Sequence, residues 1–323
     1  MGTASQAAKA SRNGERYFKK SVVYFQPTDL TITYEVIKKL SNLYPVRLIC
    51  LILGISFSAY YAWSRRESHI QSSQKQEAAR QVKNIFEEHR SRYGAIRISK
   101  ELQARGLKIG RYQTQTLMKQ QGLKAIQPKS FVPKTTNSQH KLGRSPNLLL
   151  DREPACQPNE VFVGDITYIP MKDGTFSYLA TWQDMYSRNM VGWDLANHMR
   201  SELVINALKK AIDCRKLSQG LIIHSDGGGQ YASEEFRTLL KKHDFQQSMT
   251  RKGNHYDNAM AESLFSRFKA ELMQMGTFLN FEDAFTEVFE YIEIYYNRKR
   301  RHSGIGYDIP ILFEQKWEDL TNK

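Results

Sequence analysis

Ahead of residue 160 the apolar positions recur at helical spacing; behind it they begin to alternate. In TYEVIKKLSNL (33–43), Tyr34, Ile37 and Leu40 fall on one helical stripe. YPVRLICLILGISFSAYYAWSRR follows, with Pro45 at a helix start, Gly54 at a tight turn and Ser56 placed to cap a second helix. Helix, glycine turn, helix, then Arg65 and Arg66 describes a helix-turn-helix, although a buried helical hairpin fits the same residues. Residues 76–91 predict a charged helix with Val82, Ile85 and Phe86 inward. A turn at Tyr93-Gly94, a helix near Ile98–Arg105 and a polar helix near Arg111–Gln121, stopped by Gly122, complete a second module. Residues 124–160 hold Pro128, Pro133, Pro146, Pro154 and Pro158 among many polar residues, the composition of a linker.

From residue 161 the pattern becomes strand-like. VFVGDITYIP is β-branched and aromatic, and a turn at Asp173-Gly174 precedes two further strands in FSYLATWQDMYSRNMVGWDLA. SELVINALKKAIDCRK is an amphipathic helix, GLIIHSD a short buried strand, SEEFRTLLKKH a helix capped by Ser233, and FQQSM a further strand. A helix with Met260, Leu264, Phe268 and Leu272 four residues apart follows, then a long helix near 282–296 and the basic tail YNRKRRHSGIGY. The order predicts an α/β fold: a mixed sheet layered by helices, preceded by all-α modules.

Charge divides at the same place. Residues 1–150 carry 26 Lys and Arg against 8 Asp and Glu, and residues 151–323 carry 21 against 25. A strongly basic front half and a mildly acidic back half predict a polyanion partner for the front. In the polar helix, Arg111, Gln113 and Gln115 have the side chains that read base edges with paired hydrogen bonds, although a polar helix face is often simply solvated. Three scattered cysteines give neither a disulfide framework nor zinc-ligand spacing. The most apolar run, LICLILGISFSAYYAW, falls short of the roughly 20 residues of a membrane span, so no membrane partner is expected.

Three carboxylates stand out. Alternation puts Asp165 on one strand face with Val161 and Val163, where an unpaired charge is costly. Asp226 ends a strand and opens Gly227-Gly228-Gly229, at the strand end where open α/β sheets place ligands. Glu262 starts a helix. Singly, a turn aspartate and a helix-dipole glutamate are ordinary. Together, the three describe an acidic cluster around hard cations. Mg²⁺ takes oxygen ligands, and two such ions about 4 Å apart activate a hydroxyl and stabilise a leaving oxygen in phosphodiester chemistry.

The three carboxylates, with thirty-five residues between Asp226 and Glu262, resemble the spacing of DDE transposases and retroviral integrases, whose catalytic core is RNase H-like. VFVGDITYIP, DMYSRNMVGWDL, IIHSDGGGQYAS, SMTRKGNHYDNAMAESLFSRFKAEL and YIEIYYNRKRRHSGIGY further resemble the OrfB-type transposases of the bacterial insertion-sequence-three family. The front half resembles that family's helix-turn-helix segments, and the likeness spans roughly residues 30–315. It implies an RNase H-like mixed-sheet catalytic core and strand cleavage at the element's terminal inverted repeats. It also implies transesterification by the freed 3′-hydroxyl into target DNA.

By position, Asp165, Asp226 and Glu262 would be catalytic and metal-ligating. The metal implied is Mg²⁺ with Mn²⁺ as substitute, as two ions. Lys269, two helical turns beyond Glu262, would contact DNA, as would Arg111, Gln113, Gln115, Arg65 and Arg66. Asn258, His224 and Gln230 would have supporting roles. Relatives often carry an arginine near Gly227; the all-glycine run here removes one phosphate contact. The partners implied are double-stranded DNA, further copies of the chain on DNA, and an OrfA-like protein, in the bacterial cytoplasm at the nucleoid.

The domain reading is a basic, mostly disordered segment (1–29), helix-turn-helix-like modules at 30–68 and 69–123, a Pro-rich linker (124–158), the core (159–278), and a C-terminal helix with basic tail (279–323). Two alternatives use the same features: an RNase H-like metal-dependent nuclease, and a catalytically silent element-derived DNA-binding regulator.

Overall fold

The computed structural model describes residues 30–65, 73–127, 143–251, 257, 259–273 and 276–321. The expectations for residues 1–29, and those for Arg66 and Asn258, lie outside the described residues. The chain divides into two compact units, residues 1–80 and 81–323.

The first unit holds α1 (Leu30–Leu40), α2 (Val46–Leu53) and α3 (Phe57–Ser64). Gly54 ends α2 in the left-handed region at φ 67°, a conformation that costs a residue with a Cβ. Ser56 then caps α3 by accepting from the Ala59 N–H. Ile37, Ile49, Cys50 and Tyr60 meet in a small core. The apolar run at 48–63 is therefore two helices bent by 119°. Among the described residues, no single helix is long and apolar enough to cross a membrane.

The second unit begins within α4 (Ser73–Glu88) and continues through α5 (Ala95–Ala104) and α6 (Arg111–Gln120). Val82, Ile85, Ile98, Leu102 and Leu117 are buried, as the helical periodicity requires. Residues 143–158, linker-like in composition, run beside the sheet. There the Leu148 N–H donates to Ser248 Oγ at 2.9 Å, and the Met249 N–H to Pro146 O at 3.2 Å.

The sheet comprises β1 (Val161–Pro170), β2 (Phe176–Asp184), β3 (Met190–Ala196), β4 (Ile222–Ser225) and β5 (Gln246–Met249), in the order β3-β2-β1-β4-β5. The first three form an antiparallel meander; β4 and β5 run parallel to β1. Between them come α7 (Ser201–Cys214) and α8 (Glu234–Lys242), the latter capped by Ser233. These two helices cover one face, where Phe162, Trp182, Leu208, Ile223 and Phe236 pack together. Gly164 is required here, because a Cβ would overlap the Trp182 ring. On the other face Val161, Val163 and Ile222 pack with Ala261 of α9 (Ala259–Leu272).

The helix expected over 282–296 is two pieces. After α10 (Phe281–Phe289), residues Glu290–Tyr296 widen into a π-helix. The wider turn lets Tyr291, Ile292, Tyr295 and Tyr296 all point inward, while the N–H groups of Asn297 and Arg300 reach back five residues. Past the basic stretch at 296–307 the chain forms α11 (Pro310–Thr321). Its Glu314 is buried and accepts from Ser187, Asn189 and Arg215, pinning the β2–β3 turn.

Candidate active site

Strand register builds the site. Gly164 pairs with Ser225 across the parallel β1–β4 ladder, so the next residues on the two strands are Asp165 and Asp226. Neighbouring strands lie about 4.8 Å apart, which places these carboxylates side by side at the carboxyl end of β4. Alternation assigns Asp165 to the face of Val161 and Val163, and Asp226 to that of Ile222; both are the α9 face. The Ile166 N–H donates to Asp165 Oδ1 at 2.8 Å, and the Gly228 N–H to Asp226 Oδ1 at 3.0 Å. Burial, and then the Asp226 charge, raise the Asp165 pKa far above the usual carboxylate range.

Glu262 lies in the first turn of α9, exposed, and its charge also acts on Asp165. The first two carboxylates are thus brought together, with the third within electrostatic reach. Among the described residues no three His, Cys, Asp or Glu side chains converge closely enough to hold a metal ion. Lys269 is on the same side of α9. Its Nζ lies 3.7 Å from the centroid of the Tyr168 ring on β1. Burial lowers its pKa, against the opposing influence of Asp165.

His224 is buried, with Nδ1 2.8 Å from Ser248 Oγ and Nε2 3.1 Å from the Asp257 carbonyl. It ties β4 to β5 and to the approach to α9, a bracing position. Asp257 is gripped by Arg251, through two guanidinium hydrogen bonds of 3.0 Å, and by Asn147 at 2.9 Å. Arg251 and Asp257 thus form a pinned pair. Gln230 donates to the Met199 carbonyl at 2.9 Å, which joins the glycine loop to the entrance of α7.

Two further residues at the site carry no sequence signal. Tyr231 is fully buried against Trp182 and Phe236, and its hydroxyl has no hydrogen-bond partner. Its pKa is raised well above normal by burial and then by Asp165 and Asp226. Arg144, from the linker-like segment, places its guanidinium where a side chain at Gly227 would stand. The glycine at 227 thus leaves room for a guanidinium from elsewhere in the chain. Away from the acidic site, Arg111, Gln113 and Gln115 lie on the exposed side of α6, with Thr114, Leu117 and Met118 beneath. Arg65 is exposed at the end of α3.

A mixed sheet with this order and a preceding helical module is the architecture of the integrase-core polynucleotidyl transferases, an α/β, RNase H-like class. Residues 155–255 and 243–310 each match an integrase core domain, and residues 73–131 match an HTH-like domain. The transposase for insertion sequence element IS904 of Lactococcus lactis subsp. lactis (strain IL1403) is 41% identical over 234 residues, covering 72% of this chain and 92% of that one. Transposase InsF for insertion sequence IS3A of Escherichia coli (strain K12) is 36% identical over 285 residues, covering 88% and 98%. The chain belongs to the IS3-family insertion-sequence transposases. The HTLV-2 integrase catalytic core domain in complex with magnesium is similar at a TM-score of 0.39 and 17% identity, over 50% of this chain and 99% of that one.

Proposed function

We propose that the chain cleaves DNA strands at insertion-element ends and joins them to target DNA, with Asp165, Asp226 and Glu262 as the catalytic carboxylates. The observation that carries this reading is the β1–β4 register, which sets Asp165 beside Asp226 on the face that α9 crosses with Glu262. Two half-buried carboxylates side by side, the charge of one raising the pKa of the other, offer only oxygen donors and fit a hard divalent cation. Asp165 and Asp226 would hold Mg²⁺ or Mn²⁺, with Glu262 completing the set. When bound, the metal supplies charge neutralisation and Lewis acidity at the phosphodiester.

In the joining step a 3′-oxygen forms a bond to phosphorus and a 3′-oxygen of the target strand leaves. The proton lost by the attacking hydroxyl is balanced by one taken up at the leaving oxygen. Lys269 would hold a phosphate beside Asp165. The exposed side of α6, with Arg111, Gln113 and Gln115, would meet DNA, as would Arg65 and Arg66. His224 and Gln230 brace the strand ends, and Asn258 would act at the start of α9. Assembly of several copies on DNA, with or without an OrfA-like partner, belongs to the same proposal.

The test is joining of a pre-cleaved element end to a target duplex in Mg²⁺. Asp226→Asn is expected to abolish both cleavage and joining while leaving DNA affinity intact. Unchanged processing in Asp226→Asn would overturn the assignment. Hydrolysis by the wild type with no joined product would favour a nuclease.

A further inference from the structure

A cavity of about 310 Å³ opens on the flank of α9 away from the acidic site. Arg97, Arg188, Arg267, Arg300 and His302 line it, with Ser263, and no carboxylate is among its lining residues. On α9, Ser263 and Arg267 are four residues apart and share a face, while Glu262 and Lys269, seven apart, share another about 100° or more away. One helix therefore presents a carboxylate flank and a guanidinium flank.

The cations in the cavity differ in what holds them. Arg300 is committed beneath to Glu271, and Arg97 lies 3.8 Å from the same carboxylate. Arg188 has no carboxylate within ion-pair distance among the described residues. Its Nη1 rests on Met260 Sδ and its Nε is buried without a hydrogen-bond partner. Leaving such a donor unmade is costly unless a ligand completes it. The backbone of Arg188 is fixed for the purpose: its carbonyl accepts from Gln183 Nε2 at 2.9 Å, and its N–H donates to Asp184 O at 3.0 Å. Gly304 lets the 302–305 turn lie against it, since a Cβ there would come within 3.1 Å of Arg188 Nε. His302 Nδ1 accepts from the Gly304 N–H at 3.1 Å, which leaves Nε2–H as a donor. Burial, and after it the charges of Arg300, Arg188 and Arg97, hold the His302 pKa down to about 3.

We infer that this cavity is a phosphate site for the DNA backbone, with Arg188 and Arg267 as its free cations. The inference rests on the strand-transfer reading only in assigning the phosphate to DNA. An α-helix with side chains is about 10 Å across, narrower than a duplex, so one DNA molecule can engage both flanks of α9. Guanidinium forks match phosphate oxygens in pairs, which suits Arg188 better than lysine would.

The test uses the full chain and a short duplex, with affinity measured against salt. Each phosphate contact contributes about 0.9 to the slope of log affinity on log salt. Arg267→Gln, an exposed position, is expected to lower that slope by about 0.9, and Arg188→Gln by a similar amount, with Arg267→Lys retaining it. Unchanged slopes in both glutamine variants, with unfolding midpoints preserved, would overturn the inference. A second arm titrates inorganic phosphate at constant ionic strength. Phosphate binding that Arg267→Gln abolishes, without any change in the DNA slope, would mean a free-anion site and equally overturn it. Loss of joining in Asp226→Asn tests the active site separately: a wild type that never joins DNA, yet loses slope in the arginine variants, would sink the strand-transfer reading and keep the phosphate site.

Discussion

Glu271→Gln should destabilise residues 81–323 more than any exposed substitution on α9. Glu271 accepts from Arg300 Nε at 2.9 Å and Nη2 at 2.7 Å, and from the Tyr291 hydroxyl at 2.9 Å. The two charged side chains are only 4% and 2% exposed. Burial opposes the Glu271 charge, but Arg300 and Arg97 outweigh it and the pKa is lowered. Removing one partner leaves the buried Arg300 uncompensated, which costs about 3–5 kcal/mol. For a unit of this size that is a fall of roughly 6–20 °C in the midpoint. Glutamine preserves shape and one acceptor, so the loss reports charge and not a cavity. The measurement is chemical unfolding of the full chain, following the transition of the second unit. A second variant, Glu271→Leu with Arg300→Met, should recover much of the loss, because replacing both ions by apolar groups removes the stranded charge. A cost below about 1 kcal/mol for Glu271→Gln, or a double variant as unstable as the sum of its singles, would refute the reasoning.

Two more outcomes follow from the interior. Gly164→Ala drives a methyl into the Trp182 ring and should cost about 1–3 kcal/mol in the same unfolding assay; a neutral effect would mean that β1 and Trp182 can separate. His302 and His89 have pKa values lowered to about 3 and about 4, chiefly by burial, so below about pH 6.5 the unfolded chain binds protons that the folded chain does not. The histidine contribution should be complete above pH 6.5 and be lost as pH drops toward 4, by about 1.4 kcal/mol per pH unit for each histidine, while the raised pKa of Asp165 acts in the opposite sense; a slope left unchanged by the His89→Gln, His302→Gln double variant would exclude the histidines as contributors.

What was legible in the chain was local. Alternation in VFVGDITYIP gives β1, Ser233 gives the start of α8, and Gly54 and Ser56 give the α2–α3 turn, because each signal lies within a few residues of its effect. The adjacency of Asp165 and Asp226 depends on a parallel register that pairs positions 61 residues apart in sequence, which no local pattern encodes. The π-helix was hidden because YIEIYY carries an unbroken helical period, and only packing of four large side chains widens it. Arg144 was illegible for a related reason: a basic residue in a polar, proline-containing stretch looks solvated until Gly227 is seen to leave room for it. Glu271, between an alanine and a leucine in an amphipathic helix, gave no hint of Arg300, since the partner arrives from beyond α10 and the π-helix.

That same carboxylate has a bearing on how such proteins exchange parts. Arg92 donates to the Glu271 carbonyl, Arg97 approaches its side chain, and Arg301 bonds both Glu101 and the Tyr93 hydroxyl. The seam between helical module and sheet domain is thus written in four residues of one and two of the other. A chimera that imports a foreign module by cutting in the proline-containing stretch would mismatch this seam. Recombination that replaces the helical module while keeping the sheet domain must carry Arg92, Tyr93, Arg97 and Glu101 along or confine its changes to surfaces outside this seam, such as the exposed side of α6.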